Sequence, residues 1–342
     1  MPESTIWSPA CQREGEPIRA VIVVPTIREA EIQKFLKLWA DDFREHQVIV
    51  VEDNPERSFA LPGGVRHVSW KEIDADLGND GWIIPRRSDA VRNYGFLLAA
   101  REKPDLIVTL DDDCYPSDAP GTPEPNFVRA HWRMLETPGG DLPVLDTMFS
   151  AVLPVRPRGY PKTSRDVRTV VNHGLWNGVP DLDGETQLRN EGMRVTFPPH
   201  SVQVPPGILF PMCGMNLSFR PEALPLAYYL PMGQGQPYHR FADIWCGWIL
   251  KKVCDRLGWS VRSGAPFVFH SRASNAARNA ELESHGLEMN DRLWRLVQDT
   301  DLDGEDARAC LDSLYRGITG GIGEPYWDRC AKAARIWCDR LA

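Results

Sequence analysis

The chain alternates short apolar, β-branched runs with stretches of helical periodicity. Residues 19–25, 47–51 and 105–110 are strand-length runs rich in valine, isoleucine and leucine. Apolar side chains at the spacing of one helix face follow the first run: Ile32, Phe35, Leu36, Trp39 and Phe43. A second helical stretch, which Ser88 can cap, runs to about Arg101 before the third run. This alternation predicts an α/β fold in which a parallel sheet is linked by crossover helices.

Polar residues follow each of these three predicted strands. Thr26 ends the first strand, Glu52 and Asp53 end the second, and a carboxylate triplet, Asp111 to Asp113, ends the third. In a parallel sheet the carboxyl ends of the strands lie at one edge, where ligands bind. The sequence therefore predicts that these polar ends gather in one site.

The carboxylate triplet needs positive charge nearby, because adjacent negative groups repel one another. A hard cation such as Mn²⁺ or Mg²⁺ takes oxygen ligands and can hold a diphosphate at the same time. His270 ends another predicted strand, residues 261–269, and is a candidate further ligand. The alternatives are a solvated acidic turn and a structural histidine.

The rest of the chain predicts three further regions. Residues 116–235 are rich in proline and glycine and predict long loops and short strands above the sheet edge. Residues 243–257 predict a helix that ends at Gly258. Residues 276–342 are predicted to form helices with four packing anchors: Trp294, Leu296, Trp327 and Trp337.

The start of the first helix can also be predicted, because Thr26 and Glu29 have the spacing of a helix capping box.

Composition and motifs exclude several classes of function. The net charge of −8 argues against binding nucleic acid or an anionic membrane through bulk charge. The apolar runs fall short of the roughly 18 residues of a membrane span, and the first residues do not resemble a secretory signal. The eight cysteines form no CxxC pair, so we expect reduced thiols in a cytosolic protein. No GxGxxG follows the first strand and no phosphate-binding P-loop motif occurs, so neither NAD nor flavin is expected.

Several longer motifs resemble one known family. In chain order they are VVPTIRE, TLDDDCY, RGYP, HGLWNGVPDLD, LFPMCGMNLSF, MGQGQP, IWCGW and HSRASN. These strings resemble the plant reversibly glycosylated polypeptides, the UDP-arabinopyranose mutases, over roughly residues 18–279. The resemblance implies a GT-A-like, Rossmann-like central mixed sheet flanked by helices, with a helical C-terminal extension. We expect a nucleotide-sugar-binding catalytic domain over residues 1–275 and the extension, packed on it, over residues 276–342.

The resemblance also implies a reaction and a metal. Members of the family interconvert the pyranose and furanose forms of a nucleotide sugar and need Mn²⁺ or Mg²⁺. It implies Asp111, Asp113 and His270 as the metal site. It further implies glycosylation of the arginine in RGYP, here Arg158, with Arg165 a second matching arginine.

The catalytic assignments leave alternatives open. Arg158 either attacks C1 of the sugar as a nucleophile or only clamps the diphosphate. As a nucleophile it needs a base to take its proton, since a guanidinium is otherwise always charged. Asp243 can be that base or a helix N-cap, and the family has a second acidic residue where this chain has Ala242.

The remaining candidate site residues fall into two groups. The predicted nucleotide-binding residues are Thr26, Arg28, Glu52, Asp53, Arg87, Arg92 and Asp112. The predicted sugar-binding residues are His173, Trp176, Asp183 and Asn216, with Asp181 beside them. Several have a structural alternative: packing for Trp176, a solvated turn for the two aspartates, and its own turn for Asn216. Arg87 and Arg92 can reach the diphosphate from the helix that precedes the triplet strand, or can be surface residues of that helix.

The nucleotide base is predicted from one departure in the second strand. The family has Gln-Asp-Gly-Asp-Pro where this chain has Glu52, Asp53, Asn54 and Pro55. A carboxylate can accept the adjacent N–H and NH₂ donors of guanine in parallel, so Glu52 favours a GDP-hexose such as GDP-L-galactose over UDP-L-arabinose. Competing functions are a metal-dependent glycosyltransferase and a non-catalytic sugar-nucleotide-binding subunit. The tryptophan-rich C-terminal helices can also form a homo-oligomer interface.

Overall fold

A mixed β-sheet with helices on both faces forms the centre of the computed structural model. The structure describes residues 18–117, 126–142, 158–159, 165–198, 200–271 and 274–342. The strands are β1 (Ala20–Thr26), β2 (Gln47–Glu52), β3 (Arg66–Val68), β4 (Leu106–Leu110), β5 (Cys114–Pro116), β6 (Gly139–Gly140), β7 (Asp166–Val167), β8 (Thr169–Gly178), β9 (Ser201–Gln203), β10 (Asn216–Phe219) and β11 (Ser260–His270). The helices are α1 (Glu29–Leu38), α2 (Trp70–Leu77), α3 (Arg92–Arg101), α4 (Phe127–Glu136), α5 (Gly184–Arg189), α6 (Ala242–Leu257), α7 (Ala276–Ser284), α8 (Leu287–Asp299), α9 (Ala307–Ile322) and α10 (Pro325–Leu341).

The sheet topology places the predicted strand ends at one edge. The strand order is β3-β2-β1-β4-β10-β8-β11-β5, with β9 paired to β11. Strands β3, β2, β1 and β4 are parallel, and β10 runs antiparallel between β4 and β8. Strands β4, β8 and β11 therefore point the same way, so His270 lies at the same edge as the carboxylate triplet. The predicted GT-A-like α/β fold is confirmed, with a mixed central sheet.

The region predicted as loops contains two longer elements, which corrects the prediction. Strand β8 has ten residues and lies between β10 and β11, although its asparagine, histidine and glycine residues disfavour strands. Partners from distant segments make this possible: the amide of Asn172 donates to the carbonyl of Ala265, and His173 contacts Ser263. Helix α4 buries Phe127, Val128, Ala130, His131 and Leu135.

The helix starts follow the predictions at one place and depart from them at another. Ser88 caps as predicted, accepting a hydrogen bond from the backbone of Ala90 at 3.3 Å. The capping box predicted from Thr26 and Glu29 is wrong. The hydroxyl of Thr26 donates to Asp112, and Glu29 accepts from the backbone of Ala60 instead. A tertiary partner has replaced the local one.

The C-terminal helices pack against helix α6 and share its hydrophobic core. The rings of Trp245 and Trp327 lie 5.4 Å apart, and both side chains are fully buried, as is that of Trp337. Burying one such side chain stabilises the fold by about 2–3 kcal/mol. Trp294 is not a buried anchor as predicted, because 39% of its surface is exposed. Among the described helices, none combines the length and apolar character that a bilayer crossing requires.

Candidate active site

The carboxylate triplet lies where three strands meet at the sheet edge. The backbone amide of Asp111 donates to the carbonyl of Met215, which precedes β10, at 3.4 Å. The carbonyl of Asp113 accepts from the amide of Ser271, which follows β11, at 3.1 Å. The backbone of the triplet is thus fixed between β10 and β11, and its three side chains point to different partners.

Asp112 binds the end of β1 and the residues after it. Thr26 Oγ1 donates to Asp112 Oδ2 at 2.5 Å and accepts from the backbone of Arg28 at 3.0 Å. Arg28 donates to both carboxylate oxygens, with Nε lying 3.2 Å from Oδ2. Burial raises the pKa of Asp112, although Arg28 and Thr26 act against it. The structure thus brings together three of the residues predicted to bind the nucleotide.

Asp111 forms an ion pair with a fully buried arginine. Arg92 Nη2 lies 2.5 Å from Asp111 Oδ1, while Nη1 donates to the hydroxyl of Thr109 at 2.8 Å and to the carbonyl of Gly214 at 2.6 Å. Burial alone would raise the pKa of Asp111, but Arg92 outweighs it and the pKa lies below its usual range. Arg92 was predicted to bind the nucleotide. Its donors are occupied inside the protein, which favours a structural role.

Asp113 and His270 have the geometry of two metal ligands. His270 Nε2 lies 3.9 Å from Asp113 Oδ2, a gap that a cation bound to both atoms at about 2.1–2.3 Å could bridge. His270 Nδ1 lies 2.8 Å from the carbonyl of Val179, which can only accept. Nδ1 therefore carries the proton in the neutral ring, and Nε2 keeps the lone pair that a metal needs.

The donor set fits a hard divalent cation, although it is not fully assembled. Within the described ranges, no three histidine, cysteine, aspartate or glutamate side chains converge on one point. Asp111, the third predicted ligand, is held by Arg92 and keeps 35% of its side chain exposed. Mn²⁺ and Mg²⁺ complete their coordination with water and phosphate oxygens, so two or three protein ligands suffice.

Asp243, the candidate general base, contacts the backbone of Gly214, which also contacts Arg92. It is the second residue of α6, whose N-cap is Phe241, so the N-cap alternative does not hold. The amide of Gly214 donates to Asp243 Oδ2 at 3.2 Å. Burial, followed by the negative charges of Asp89 and Asp181, raises the pKa of Asp243 to about 7. A carboxyl group that titrates near neutral pH is suited to general acid–base chemistry.

The two acids at the end of β2 are buried and fully engaged. Glu52 accepts hydrogen bonds from Asn54, from the amide and hydroxyl of Ser58, and from the amide of Phe59, and it lies 2.7 Å from His67 Nε2. Asp53 accepts from the indole of Trp70 at 2.6 Å and from the amide of Ser88 at 3.0 Å. Both carboxylates are thus held by protein partners in this conformation.

Arg87 was predicted on the helix before the triplet strand, and the structure places it earlier. It precedes that helix, is exposed, and has a positive φ of 54°. Its Nη1 donates to the side chain of Asn54 at 3.2 Å, and its guanidinium lies 5.1 Å from the centre of the Trp70 ring. Arg87 thus lies beside the loop after β2.

Two of the four predicted sugar-binding residues lie together. The rings of His173 and Trp176 are perpendicular, with centroids 6.0 Å apart, and both come from β8. His173 Nε2 and Trp176 Nε1 are buried and have no hydrogen-bond partner among the residues that the structure describes. Burial lowers the pKa of His173 to about 4, so its ring is neutral near pH 7. These two nitrogens are available to a polar ligand.

The other two predicted sugar-binding residues have structural partners. Asn216 is fully buried, and its amide donates to the carbonyls of Leu175 and Pro266, each at 2.9 Å. Asp183 caps α5 by accepting from the amide of Thr186 at 2.9 Å. Asp181 accepts from the thiol of Cys213 at 3.2 Å. The contacts of Asn216 and Asp183 favour their structural alternatives.

Arg158 of the RGYP motif and the second matching arginine, Arg165, are both exposed. Arg158 and Gly159 form an exposed turn, and Arg158 makes no hydrogen bond or ion pair with any other residue in the described ranges. Arg165 is exposed, and its Nε lies 2.7 Å from Asp141 Oδ2. The rest of the RGYP motif, residues 160–161, falls outside the described residues.

Gly214 is a site residue that the sequence analysis missed. A methyl group at this position would lie 2.9 Å from the guanidinium carbon of Arg92, so only glycine permits this contact. Its two backbone groups connect Arg92 with Asp243. The only sequence signal was its place within the unusual PMCGM string.

Comparisons with known proteins point to one family. A protein family described as Reversibly glycosylated polypeptide matches residues 19–341. The relatives include a probable UDP-arabinopyranose mutase 1 of Pisum sativum, 34% identical, with 93% of this chain and 89% of the relative covered. UDP-arabinopyranose mutase 1 of Arabidopsis thaliana is 33% identical (93% and 90% covered), and that of Oryza sativa subsp. japonica is 32% identical (93% and 89% covered).

Among solved structures, one similar chain is the mannosyltransferase PcManGT from Pyrobaculum calidifontis, determined in complex with GDP-Man and Mn²⁺. It is 13% identical with a TM-score of 0.40, covering 96% of this chain and 77% of that chain. The family match extends through the C-terminal helices, beyond residues 18–279, which contain the motifs quoted above. This chain belongs to the reversibly glycosylated polypeptide family.

Proposed function

We propose that this protein is a nucleotide-sugar mutase that interconverts pyranose and furanose forms with the help of Mn²⁺ or Mg²⁺. Several relatives that share about a third of its residues carry the name UDP-arabinopyranose mutase. The observation that carries the metal-dependent part is the pair Asp113 and His270, 3.9 Å apart, with the unprotonated nitrogen of the histidine on the side of the carboxylate. A divalent cation at this place would neutralise the diphosphate as it leaves C1.

The proposed reaction begins with exchange at C1. The bond from C1 to the diphosphate oxygen breaks, and its electron pair leaves with the diphosphate. A nitrogen of Arg158 bonds to C1 and gives its proton to Asp243 or to the diphosphate. Asp243 suits this role because its pKa of about 7 lets it both take up and return a proton near neutral pH.

Ring contraction then needs no redox step. The lone pair of the arginine nitrogen expels the ring oxygen from C1, and that oxygen takes up the proton. A different hydroxyl adds to C1 and loses its proton, which closes the furanose ring. Finally an oxygen of the diphosphate bonds to C1, the bond from C1 to the Arg158 nitrogen breaks, and that nitrogen takes up the proton that the new ring hydroxyl released. No carbon changes its oxidation state over the cycle, so the proposal includes neither flavin nor NAD.

Within this proposal, the nucleotide diphosphate and the sugar occupy neighbouring parts of the site. Thr26, Arg28 and Asp112 lie at the triplet, where a metal-bound diphosphate would lie, and Arg87 lies beside the loop after β2. His173 and Trp176 offer two buried nitrogens that have no partner in the described part of the chain, and these suit sugar hydroxyls. A cytosolic location and a homo-oligomeric state belong to the same proposal and are checked by fractionation and by sedimentation.

The guanine preference is the finer part of the proposal. It requires Glu52 to exchange its contacts with Ser58 and His67 for the base, since both of its oxygens are occupied in the structure. Calorimetric titration of the Mn²⁺-loaded protein with GDP and with UDP decides between the two bases. Tighter binding of UDP reverses the assignment.

One experiment tests the function as a whole. The protein is incubated with Mn²⁺ and a panel of UDP- and GDP-sugars, and the products are followed by NMR. Furanose product supports the mutase. A glycan product without furanose identifies a glycosyltransferase, and binding without any product identifies a non-catalytic sugar-nucleotide-binding subunit.

A further inference from the structure

The side chain of Arg28 lies over two buried carboxylates at the edge of the site. Its Nη2 contacts Asp112 Oδ1 and lies 3.4 Å from Asp113 Oδ2. The two aspartate side chains are only 3% and 7% exposed, whereas that of Arg28 is 32% exposed. Buried carboxylates need a compensating charge, and Arg28 contributes one to both.

The same oxygen of Asp113 faces the candidate metal position. Asp113 Oδ2 lies 3.4 Å from Arg28 Nη2 and 3.9 Å from His270 Nε2. A divalent cation between Asp113 and His270 would share this oxygen with a guanidinium. Positive charges that are a few ångströms apart repel each other strongly where water is scarce. Arg28 and the cation therefore compete for Asp113.

The two arginines of the triplet differ in their freedom to move. Arg92 is 1% exposed and donates to four groups on three segments of the chain. Arg28 is partly exposed, and within the described ranges its side-chain hydrogen bonds go to Asp112. Its backbone is fixed separately, because its amide donates to the hydroxyl of Thr26. The Arg28 guanidinium can leave while the loop stays in place.

We propose that Arg28 is an exchangeable counter-ion: it holds Asp113 while no divalent cation is bound, and gives this carboxylate up to the cation to bind the diphosphate of the nucleotide. This inference rests on the proposed function, because it assumes the cation and the nucleotide. It adds an order to their binding. The cation frees the guanidinium, and the freed guanidinium then strengthens nucleotide binding.

The test separates binding of the cation from binding of the nucleotide. Calorimetry with Mn²⁺ alone should show about tenfold tighter binding to the Arg28→Gln variant than to the native protein, because a competing positive charge is gone. In saturating Mn²⁺, the same variant should bind the preferred one of UDP and GDP about tenfold more weakly, because a charge-assisted hydrogen bond is lost. Arg28→Lys, which keeps the charge, should bind Mn²⁺ like the native protein.

Two additional measurements guard against a misfolded variant. The double variant Arg28→Gln with Asp112→Asn also neutralises the carboxylate that Arg28 contacts most closely, and it should also bind Mn²⁺ more tightly than the native protein. In the native protein, modification of Arg28 by phenylglyoxal, mapped by peptide mass, should speed up with Mn²⁺ and slow again when the nucleotide is added.

The outcomes distinguish this inference from the proposed function. The exchange by Arg28 is overturned if Arg28→Gln and the double variant both bind Mn²⁺ as the native protein does or more weakly. It is also overturned if Mn²⁺ does not change the rate at which phenylglyoxal modifies Arg28. If the native protein forms furanose and binds Mn²⁺ in that case, the proposed function stands and only the exchange falls. If the native protein binds no Mn²⁺, both fall.

Discussion

The backbone amide of Gly214 donates a hydrogen bond to Asp243 at 3.2 Å, and its carbonyl accepts one from Arg92 at 2.6 Å. Arg92 in turn pairs with Asp111. One residue without a side chain thus connects the candidate general base to the carboxylate triplet. Gly214 therefore couples the position of Asp243 to that of Arg92 and Asp111.

Gly214→Ala should therefore impair the site more than the fold. The added methyl group would lie 2.9 Å from the guanidinium carbon of Arg92 and push it away from Asp111. We expect Mn²⁺ affinity and furanose formation each to fall by about tenfold, as for other changes behind a metal ligand. Gly320→Ala is the matched control, because its methyl group would contact nothing within 4 Å. Equal activity of the two variants would contradict the role of Gly214.

Asp243→Asn should remove a titration from the activity profile. With a pKa raised to about 7 by burial and neighbouring acids, Asp243 becomes an effective base only as pH rises through this value. Furanose formation by the native protein should rise with pH around 7, whereas the variant should show no such rise and should be slower by about 100-fold above pH 7. A native profile that stays flat from pH 6 to 8 would count against the base.

The same group should make stability depend on pH. Between the ordinary pKa of 3.8 and the folded pKa of about 7, the folded chain holds a proton that the unfolded chain has lost. Rising pH therefore lowers the free energy of unfolding across this window. Above the window, the destabilisation that Asp243 causes stays constant. In urea unfolding, the free energy of unfolding of Asp243→Asn should increase relative to that of the native protein from pH 4 to 7. It should not increase further at pH 8.

His270→Asn tests the metal site. Asparagine can still donate to the carbonyl of Val179, as Nδ1 of the histidine does at 2.8 Å, but it lacks the second ring nitrogen. We expect Mn²⁺ affinity to fall by about tenfold or more while the fold is kept. Calorimetry measures the affinity, and His285→Asn, which changes an exposed histidine, should bind like the native protein. Unaltered Mn²⁺ binding in His270→Asn would remove it from the site.

Arg158 can be tested for a covalent sugar by mass. If C1 bonds to its guanidinium, the intact native protein should gain the mass of one glycosyl group after incubation with its nucleotide sugar. Arg158→Gln should gain none, and Arg165→Gln, which changes the other matching arginine, should gain it like the native protein. Full turnover in Arg158→Lys would end the covalent route, because lysine keeps the charge but not the guanidinium.

The parts of the site that sequence could predict depend on local signals. The runs of β1, β2 and β4 are β-branched and continuous, so the strands were predicted to within about a residue. From their direction it followed that Thr26 and the carboxylate triplet would lie at one edge of the sheet, where the structure shows Thr26 in contact with Asp112. Sequence could not assign Arg28 to Asp112 and Arg92 to Asp111, because each pairing depends on side-chain directions across the sheet edge.

The parts that sequence missed depend on distant partners. Asn172 and His173 look wrong for a central strand until Ala265 and Ser263 supply their hydrogen bonds from β11, about 90 residues away. Gly214 meets Arg92 across 122 residues, and no local pattern reports such an approach. The contacts of Glu52 with Ser58 and His67 were also missed, because neither partner belongs to a recognisable motif.

Asn216→Ala should destabilise the protein without changing sugar binding. In the structure its amide donates to Leu175 and Pro266, and its oxygen lies 3.0 Å from His131 Nε2, all inside the sheet. Burial lowers the pKa of His131 to about 3, so the neutral ring would lose its acceptor in the core. Leaving these groups unpaired should lower the free energy of unfolding by about 3 kcal/mol.

Urea unfolding and KM together separate the two roles of Asn216. A buried structural amide lowers the unfolding midpoint and leaves KM for the nucleotide sugar near the native value, whereas a sugar ligand raises KM in a protein of native stability. Asn190→Ala, at the exposed end of α5, should change neither by much. A stable Asn216→Ala protein with a raised KM would return Asn216 to the sugar site, and would require Asn216 to exchange its contacts with β8 and β11 when substrate binds.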